Sequence, residues 1–229
     1  MTTGNCALSS LEGAFNYKAN GQGESEHNTM RLLLFSDLHA DGEAALSLAS
    51  RAFEFDVLVG AGDFAQARRG LNLVLPIFKT LAVPMVFVAG NNESFEELRD
   101  ACSDAPHIHV LHGDAVELAG QTFFGLGGGV PVTPFGPWSF DLSEEEAELK
   151  LRDCPRDAIL VSHSPPLGTL DVSSAGKHLG SQSVARCIEE KAPKLAVCGH
   201  IHASAGKSEP IGNTTVVNAG PIGIAWELK

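Results

Sequence analysis

Asp37 and His39 stand one residue apart at the end of an apolar run, and His200 and His202 repeat that spacing far along the chain. Between them, Asp63, Asn91 and His163 each follow an apolar run of their own. Carboxylate oxygen, amide oxygen and imidazole nitrogen together suit borderline divalent ions (manganese, iron, zinc, cobalt or nickel) better than a thiolate site would. No cysteine occupies any of these positions. Seven donors exceed what one tetrahedral zinc takes, so the number fits two ions sharing a bridging carboxylate. Either His-containing pair taken alone reads more often as a hydrogen-bonded structural feature than as a ligand pair.

The elements that must position these donors are the runs themselves, 31–36, 56–62, 84–90, 157–162 and 194–199. Continuous apolar stretches bounded by glycine and polar residues read as strands buried on both faces. Ligands of open α/β sheets bind beyond the carboxyl ends of such strands. Extended backbone would turn Asp37 and His39 to one face and Leu38 to the other, and likewise His200 and His202. Behind a capping Asp41, the spacing of Ala45, Leu48, Ala49 and Ala52 predicts a helix over 42–53. Further helices are expected over 69–81, shortened or kinked by Pro76, and from 94 to 102. This strand–helix alternation implies a parallel sheet with helical cover.

After His107 the pattern changes to short strands at 108–111, 116–118 and 121–126, then a Pro- and Gly-rich loop from 127 to about 138. A capping box at Ser143–Glu146 predicts a helix to Leu151, and another helix is expected over 181–191. Segments 214–218 and 222–228 look like closing antiparallel strands. The chain has 229 residues, 44% apolar and 19% charged, which fits one globular domain over 30–229 with a loose, Gly-, Ser- and Asn-rich extension over 1–29. No apolar run reaches the length of a membrane span. A net charge of −12 argues against a groove for a nucleic-acid polymer, because lysine and arginine drive phosphate-backbone binding. Five cysteines without a C-x-x-C pair suit reduced thiols and a cytoplasmic protein.

In order along the chain, the sequence reads D-x-H, G-D, G-N-x-E, a lone histidine after a strand, and G-H-x-H. That series resembles the calcineurin-like metallophosphoesterase superfamily, over residues 31 to 228. The resemblance implies a four-layer α/β/β/α sandwich of two mixed sheets flanked by helices. It implies that Asp37, His39 and His202 bind one metal and Asn91, His163 and His200 a second, with Asp63 bridging. Mn or Fe would be the expected ions, with Zn, Ni and Co also possible. A pair of ions about 3.5–4 Å apart can lower the pKa of water and brace an in-line displacement at phosphorus. The implied activity is hydrolysis of a small-molecule phosphodiester, a cyclic nucleotide for instance, or an activated phosphomonoester. A non-catalytic scaffold and a nuclease of the same superfamily are the alternatives.

One position departs from the family pattern. Many members carry histidine after the metal-binding asparagine, where it is assigned to bind phosphate and protonate the leaving group; here the residue is Asn92. An amide can orient a phosphate oxygen but cannot release a proton at neutral pH. Good or strained leaving groups, such as aryl esters or cyclic diesters, are therefore expected. Arg68 and Arg69 are candidate phosphate clamps, although a solvated arginine pair is the plainer reading. Glu93 is expected near a helix N-terminus. Phe135, Trp138 and Phe140 are candidates for an apolar wall over the substrate. His107, His109 and His112 are read as structural.

Overall fold

Strand β1 (Met30–Phe35) shows why the apolar runs have no polar alternation. Its Leu32 and Leu34 join a buried cluster with Val59, Val161 and Val217, while Leu33 and Phe35 join another with Leu48, Val74 and Phe78. Successive side chains of a strand point to opposite faces, so a strand covered on both sides must be apolar throughout. The first face meets a second sheet and the other meets helices. The computed structural model describes residues 29–228, so the expected N-terminal extension lies outside the described residues except for Thr29.

The first half follows the expected alternation: α1 (Gly42–Arg51), β2 (Val57–Ala61), α2 (Leu71–Lys79), β3 (Met85–Val88), α3 (Phe95–Ala101) and β4 (Ile108–Val110). Asp41 caps α1 by accepting from the backbone N–H groups of Glu43 and Ala44. Helix α1 stops at Arg51, and 52–54 continue as a turn of 3₁₀ helix. Helix α2 is shorter than the spacing suggested, because Gly70 at φ +91° makes a turn before it; Pro76 lies inside.

The second half comprises β5 (Asp114–Leu118), β6 (Gln121–Leu126), α4 (Glu144–Leu151), β7 (Ile159–Ser162), α5 (Gln182–Lys191), β8 (Leu195–Cys198), β9 (Ser208–Ile211), β10 (Thr214–Asn218) and β11 (Ile224–Leu228). Ser143 and Glu146 form the capping box of α4. One sheet has the order β11-β1-β2-β3-β4 and the other β5-β6-β7-β8-β10-β9. The first is parallel from β1 to β4 with one antiparallel edge, β11; the second has parallel central strands with antiparallel strands, β5 and β9, at both edges. With α1–α3 on one outer face and α4 and α5 on the other, the result is the expected α/β/β/α sandwich.

The closing segments are strands as expected, each with an antiparallel partner that is not the other: β10 lies between β9, antiparallel, and β8, parallel, and β11 runs antiparallel to β1 in the other sheet. Pairing partners are set by the packing of two sheets, which adjacency along the chain does not reveal. Strand β9 escaped notice because Ser208-Glu209-Pro210 is polar and contains proline, which sheets tolerate at an edge. Cys102, Cys154, Cys187 and Cys198 are buried and form no disulfide. Among the described residues no helix is long and apolar enough to cross a membrane.

Four phenylalanines anchor the first outer layer. Phe35 stacks on Phe78 with ring centres 5.1 Å apart and meets Phe64 and Phe87 edge-on at 6.0 and 5.9 Å. Phe78→Ala empties a fully buried site in this ring cluster and should cost about 3–5 kcal/mol of stability in urea unfolding. A loss below about 1 kcal/mol would contradict this packing.

Candidate metal centre

Five strand ends deliver the candidate ligands to one place: Asp37 and His39 beyond β1, Asp63 beyond β2, Asn91 beyond β3, His163 directly after β7, and His200 and His202 beyond β8. They do not arrive by strand alternation. Asp37, His39, Asp63 and His200 all adopt left-handed backbone, with φ of 56°, 47°, 58° and 65°, and His202 lies in a 3₁₀ turn. The pairs therefore converge through tight turns, correcting the extended-backbone expectation. Such φ values cost about 1–3 kcal/mol each and persist only where surroundings enforce them.

The donors form two groups. His39 Nε2 lies 3.0 Å from His202 Nε2, and His202 Nε2 lies 3.6 Å from Asp37 Oδ1. His163 Nε2 lies 3.3 Å from Asn91 Oδ1, which is 3.1 Å from His200 Nδ1. Asp63 stands between them, its Oδ2 3.8 Å from His39 Nε2 and its Oδ1 3.4 Å from His163 Nε2. Two imidazole nitrogens facing each other can share at most one hydrogen, whereas a cation satisfies both lone pairs together. Asp37, His39 and His202 could hold one metal ion; Asp37, Asp63 and His163 form an overlapping set of the same compactness. The donor chemistry fits divalent ions.

Supporting bonds fix the donors. Ala61 O accepts from His163 Nδ1 at 2.8 Å, which leaves Nε2 as the lone-pair nitrogen. Asn91 Nδ2 donates to Ser139 Oγ at 3.2 Å, turning Oδ1 toward the two histidines. Ser36 Oγ donates to Asp37 Oδ2 at 2.6 Å. Gly62 and Gly90 are needed for close approach. A Cβ on Gly62 would stand 2.6 Å from His163 Nδ1, and one on Gly90 would overlap the Asp63 carboxylate.

Sequence reading missed Asn218, at the end of β10. This fully buried amide donates to the carbonyls of Gly199 and Ile201 at 3.0 and 3.1 Å and so braces the turn bearing His200 and His202. The signal was available, because Val216-Val217-Asn218 is another apolar run ending on a polar residue. Ser139 was missed as well; a serine in a loop carries no such mark.

The remaining candidates divide. Asn92 is buried; its backbone N–H and Nδ2 donate to Asp63 Oδ1 and Oδ2 at 2.8 and 2.7 Å, and its Oδ1 accepts from Ala67 N. One amide hydrogen thus holds the central carboxylate. Glu93 lies directly before Ser94, the cap of α3, as expected, but its carboxylate bonds elsewhere. It is fully buried and accepts from Gly90 N and Ala65 N at 2.7 and 2.8 Å. Burial, with the Asp63 charge next, pushes its carboxyl up to about 7.

Arg68 and Arg69 do not reach the cluster. Arg68 donates to Glu97 Oε2 at 2.7 Å and to Trp138 O at 3.3 Å, and both arginines line a separate surface cavity with Pro76 and Lys79. Nearby carboxylates capture long cationic side chains, an outcome that depends on tertiary contacts. Phe135 and Trp138 do line the cleft over the cluster, a space of about 670 Å³, with Ser173, Ser174 and Leu179 facing it from another loop. Phe140 instead packs near His112, their ring centres 5.5 Å apart. His112 also stacks on Phe95 at 5.2 Å, and burial pulls its imidazole down to about 4, in keeping with a structural role.

Electrostatics couple the cluster to pH. Burial alone would raise Asp37, but its close contact with His202, the His163 charge and the Ser36 hydroxyl together hold it down at about 2. Burial, then His163, lowers His200 to about 3. Burial opposes the charge on His163, yet Asp63 and Asp37 outweigh it and raise the group; His202 is raised chiefly by its contact with the Asp37 carboxylate. A raised imidazole holds its proton to higher pH, and a divalent cation must expel that proton to bind. Affinity for Mn²⁺ should therefore climb from pH 6 to pH 8, with proton release visible as buffer-dependent calorimetric heats. A pH-independent affinity would contradict this electrostatic picture.

Comparison with known proteins agrees with this architecture. The UPF0046 protein K07C11.7 of Caenorhabditis elegans is 29% identical over 184 residues, covering 72% of this chain and 62% of that protein. The chain thus spans under two thirds of this relative's length. Crystal structures of TT1561 from Thermus thermophilus and of a dimetal phosphatase from Danio rerio share the fold, with TM-scores of 0.69 and 0.57. Their identities are 19% and 12%; the first match covers 88% of this chain and 100% of the other, the second 84% and 88%. A family model described as metallophosphoesterase, calcineurin superfamily, matches residues 31–224, and the chain belongs to that superfamily.

Proposed function

We propose that this protein is a dinuclear-metal phosphoesterase that hydrolyses a small-molecule phosphodiester or an activated phosphomonoester. The observation that carries the reading is the division of Asp63 between the two donor groups, one carboxylate oxygen toward His39 and the other toward His163. Asp37, His39 and His202 would hold one ion and Asn91, His163 and His200 the other, with Asp63 shared. Manganese or iron suits this N/O set, and zinc, nickel or cobalt is chemically compatible. When bound, such ions supply Lewis acidity that activates water and stabilises charge on the phosphoryl oxygens during in-line displacement.

The chain's own residues shape the rest of the reaction. Asn92 holds Asp63 with one amide hydrogen and has a second to offer a phosphate oxygen. It has no proton to give a departing alkoxide, and a missing general acid costs about 10²–10⁴-fold, most for poor leaving groups. The substrate is thus one whose leaving group departs unaided, an aryl or cyclic ester. The dimetal phosphatase of Danio rerio supports the reaction class through its shared fold. The net charge of −12 favours a small molecule over a nucleic-acid polymer.

After loading with Mn²⁺, elemental analysis should find roughly two ions per chain, and bis(4-nitrophenyl) phosphate should turn over much faster than an alkyl monoester. Asp63→Asn should lower occupancy and slow the diester reaction by at least about 100-fold. Undiminished turnover in that variant sinks the proposal, and a metal-loaded but inert protein would favour the scaffold alternative.

A further inference from the structure

We infer that Phe135 and Trp138 form a stacking shelf that selects phosphoesters bearing a planar aromatic ring; the inference rests on the phosphoesterase reading of the adjacent cluster. The two rings stack on one another, 21° from parallel with centres separated by 5.7 Å, so the pair acts as one aromatic block. Both remain exposed, at 52% and 36%, although they line the same cleft as His39, Asp63 and His202. Apolar rings left open beside a polar cluster offer a flat surface to a ligand, and rings prefer offset-stacked or edge-on partners.

Charge points the same way. Among the described residues lining this cleft there is no lysine or arginine; beyond the candidate ligands its polar groups are hydroxyls and amides. The cations that approach these walls are committed elsewhere: Arg68 to Glu97 and to the Trp138 carbonyl, and Lys207 to the Ala203 carbonyl. A second phosphate or a polyanionic tail finds no counter-charge on these walls. The part of the substrate away from phosphorus therefore meets apolar surface and neutral hydrogen-bonding groups.

The shelf is also tied to the cluster. Phe140 N donates to Asn91 O at 3.0 Å, and Asn91 Nδ2 donates to Ser139 Oγ, so the segment following Trp138 is fastened to a candidate ligand. Thr133 Oγ1 and Ser139 Oγ both donate to Asp141, at 2.8 and 2.9 Å, closing the base of the loop. A platform held in advance loses little entropy on binding.

Phenyl methylphosphonate and butyl methylphosphonate carry the same single charge and differ in the ring, so they isolate the shelf. With Mn²⁺-loaded wild-type protein the phenyl ester should bind about tenfold more tightly by calorimetry, and it should perturb tryptophan fluorescence. Phe135→Ala with Trp138→Ala should erase that preference while leaving butyl ester affinity unchanged; Trp138→Phe should keep the preference and lose the fluorescence change. Equal affinities in wild type, or a preference that survives the double alanine variant, overturns the shelf. Hydrolysis of bis(4-nitrophenyl) phosphate is read in parallel. Turnover without ring preference removes the shelf alone, and ring preference without turnover removes the phosphoesterase reading while the shelf stands.

Discussion

The Asp63 carboxylate is the point on which the arrangement depends. Asn92 grips it from two sides, at 2.8 and 2.7 Å, and imidazoles from β7 and from the loop after β1 stand beyond each oxygen. A buried carboxylate is expensive unless paired and hydrogen-bonded. Its position is enforced by Gly90, since any side chain there would occupy the same volume. Strand β2, strand β3 and the second sheet must therefore lie in fixed registry, or the two donor groups separate.

That registry comes from the apolar interior. The cluster between the sheets contains Leu34, Val59, Val88, Val161 and Val197 and locks the strand ends relative to one another. Left-handed backbone at four candidate ligands works against stability, as does burial of His163 and Asp37. The covering helices and stacked phenylalanines offset this from outside the cluster. Left-handed backbone at candidate ligands above a well-packed interior is the pattern of a preorganised site.

The cleft adds information that superfamily membership does not carry, because one fold hosts many chemistries. Its walls are aromatic, aliphatic and neutral polar, and its cations are turned elsewhere. Loop 127–142 is both a wall and a brace, reaching Asn91 through Ser139 and Phe140. A wall of the cleft and the support of a candidate ligand are thus built into one segment.

Local pattern alone specified the five apolar strands, the capped helices α1 and α4, the helix α5, and all seven donors at strand ends, because burial on both faces, helical spacing and helix capping leave marks within a few residues. The resemblance of the ordered motifs then supplied the sandwich and the grouping of donors. Tertiary structure decided what depends on residues distant in the chain. It sent β10 and β11 to different sheets, turned Arg68 toward Glu97, bound Asn92 to Asp63, and set Asn218 beneath the turn of His200 and His202. Each of those outcomes is a contact between segments whose meeting no local periodicity encodes, and side chains such as arginine and asparagine take their roles from the partner that reaches them.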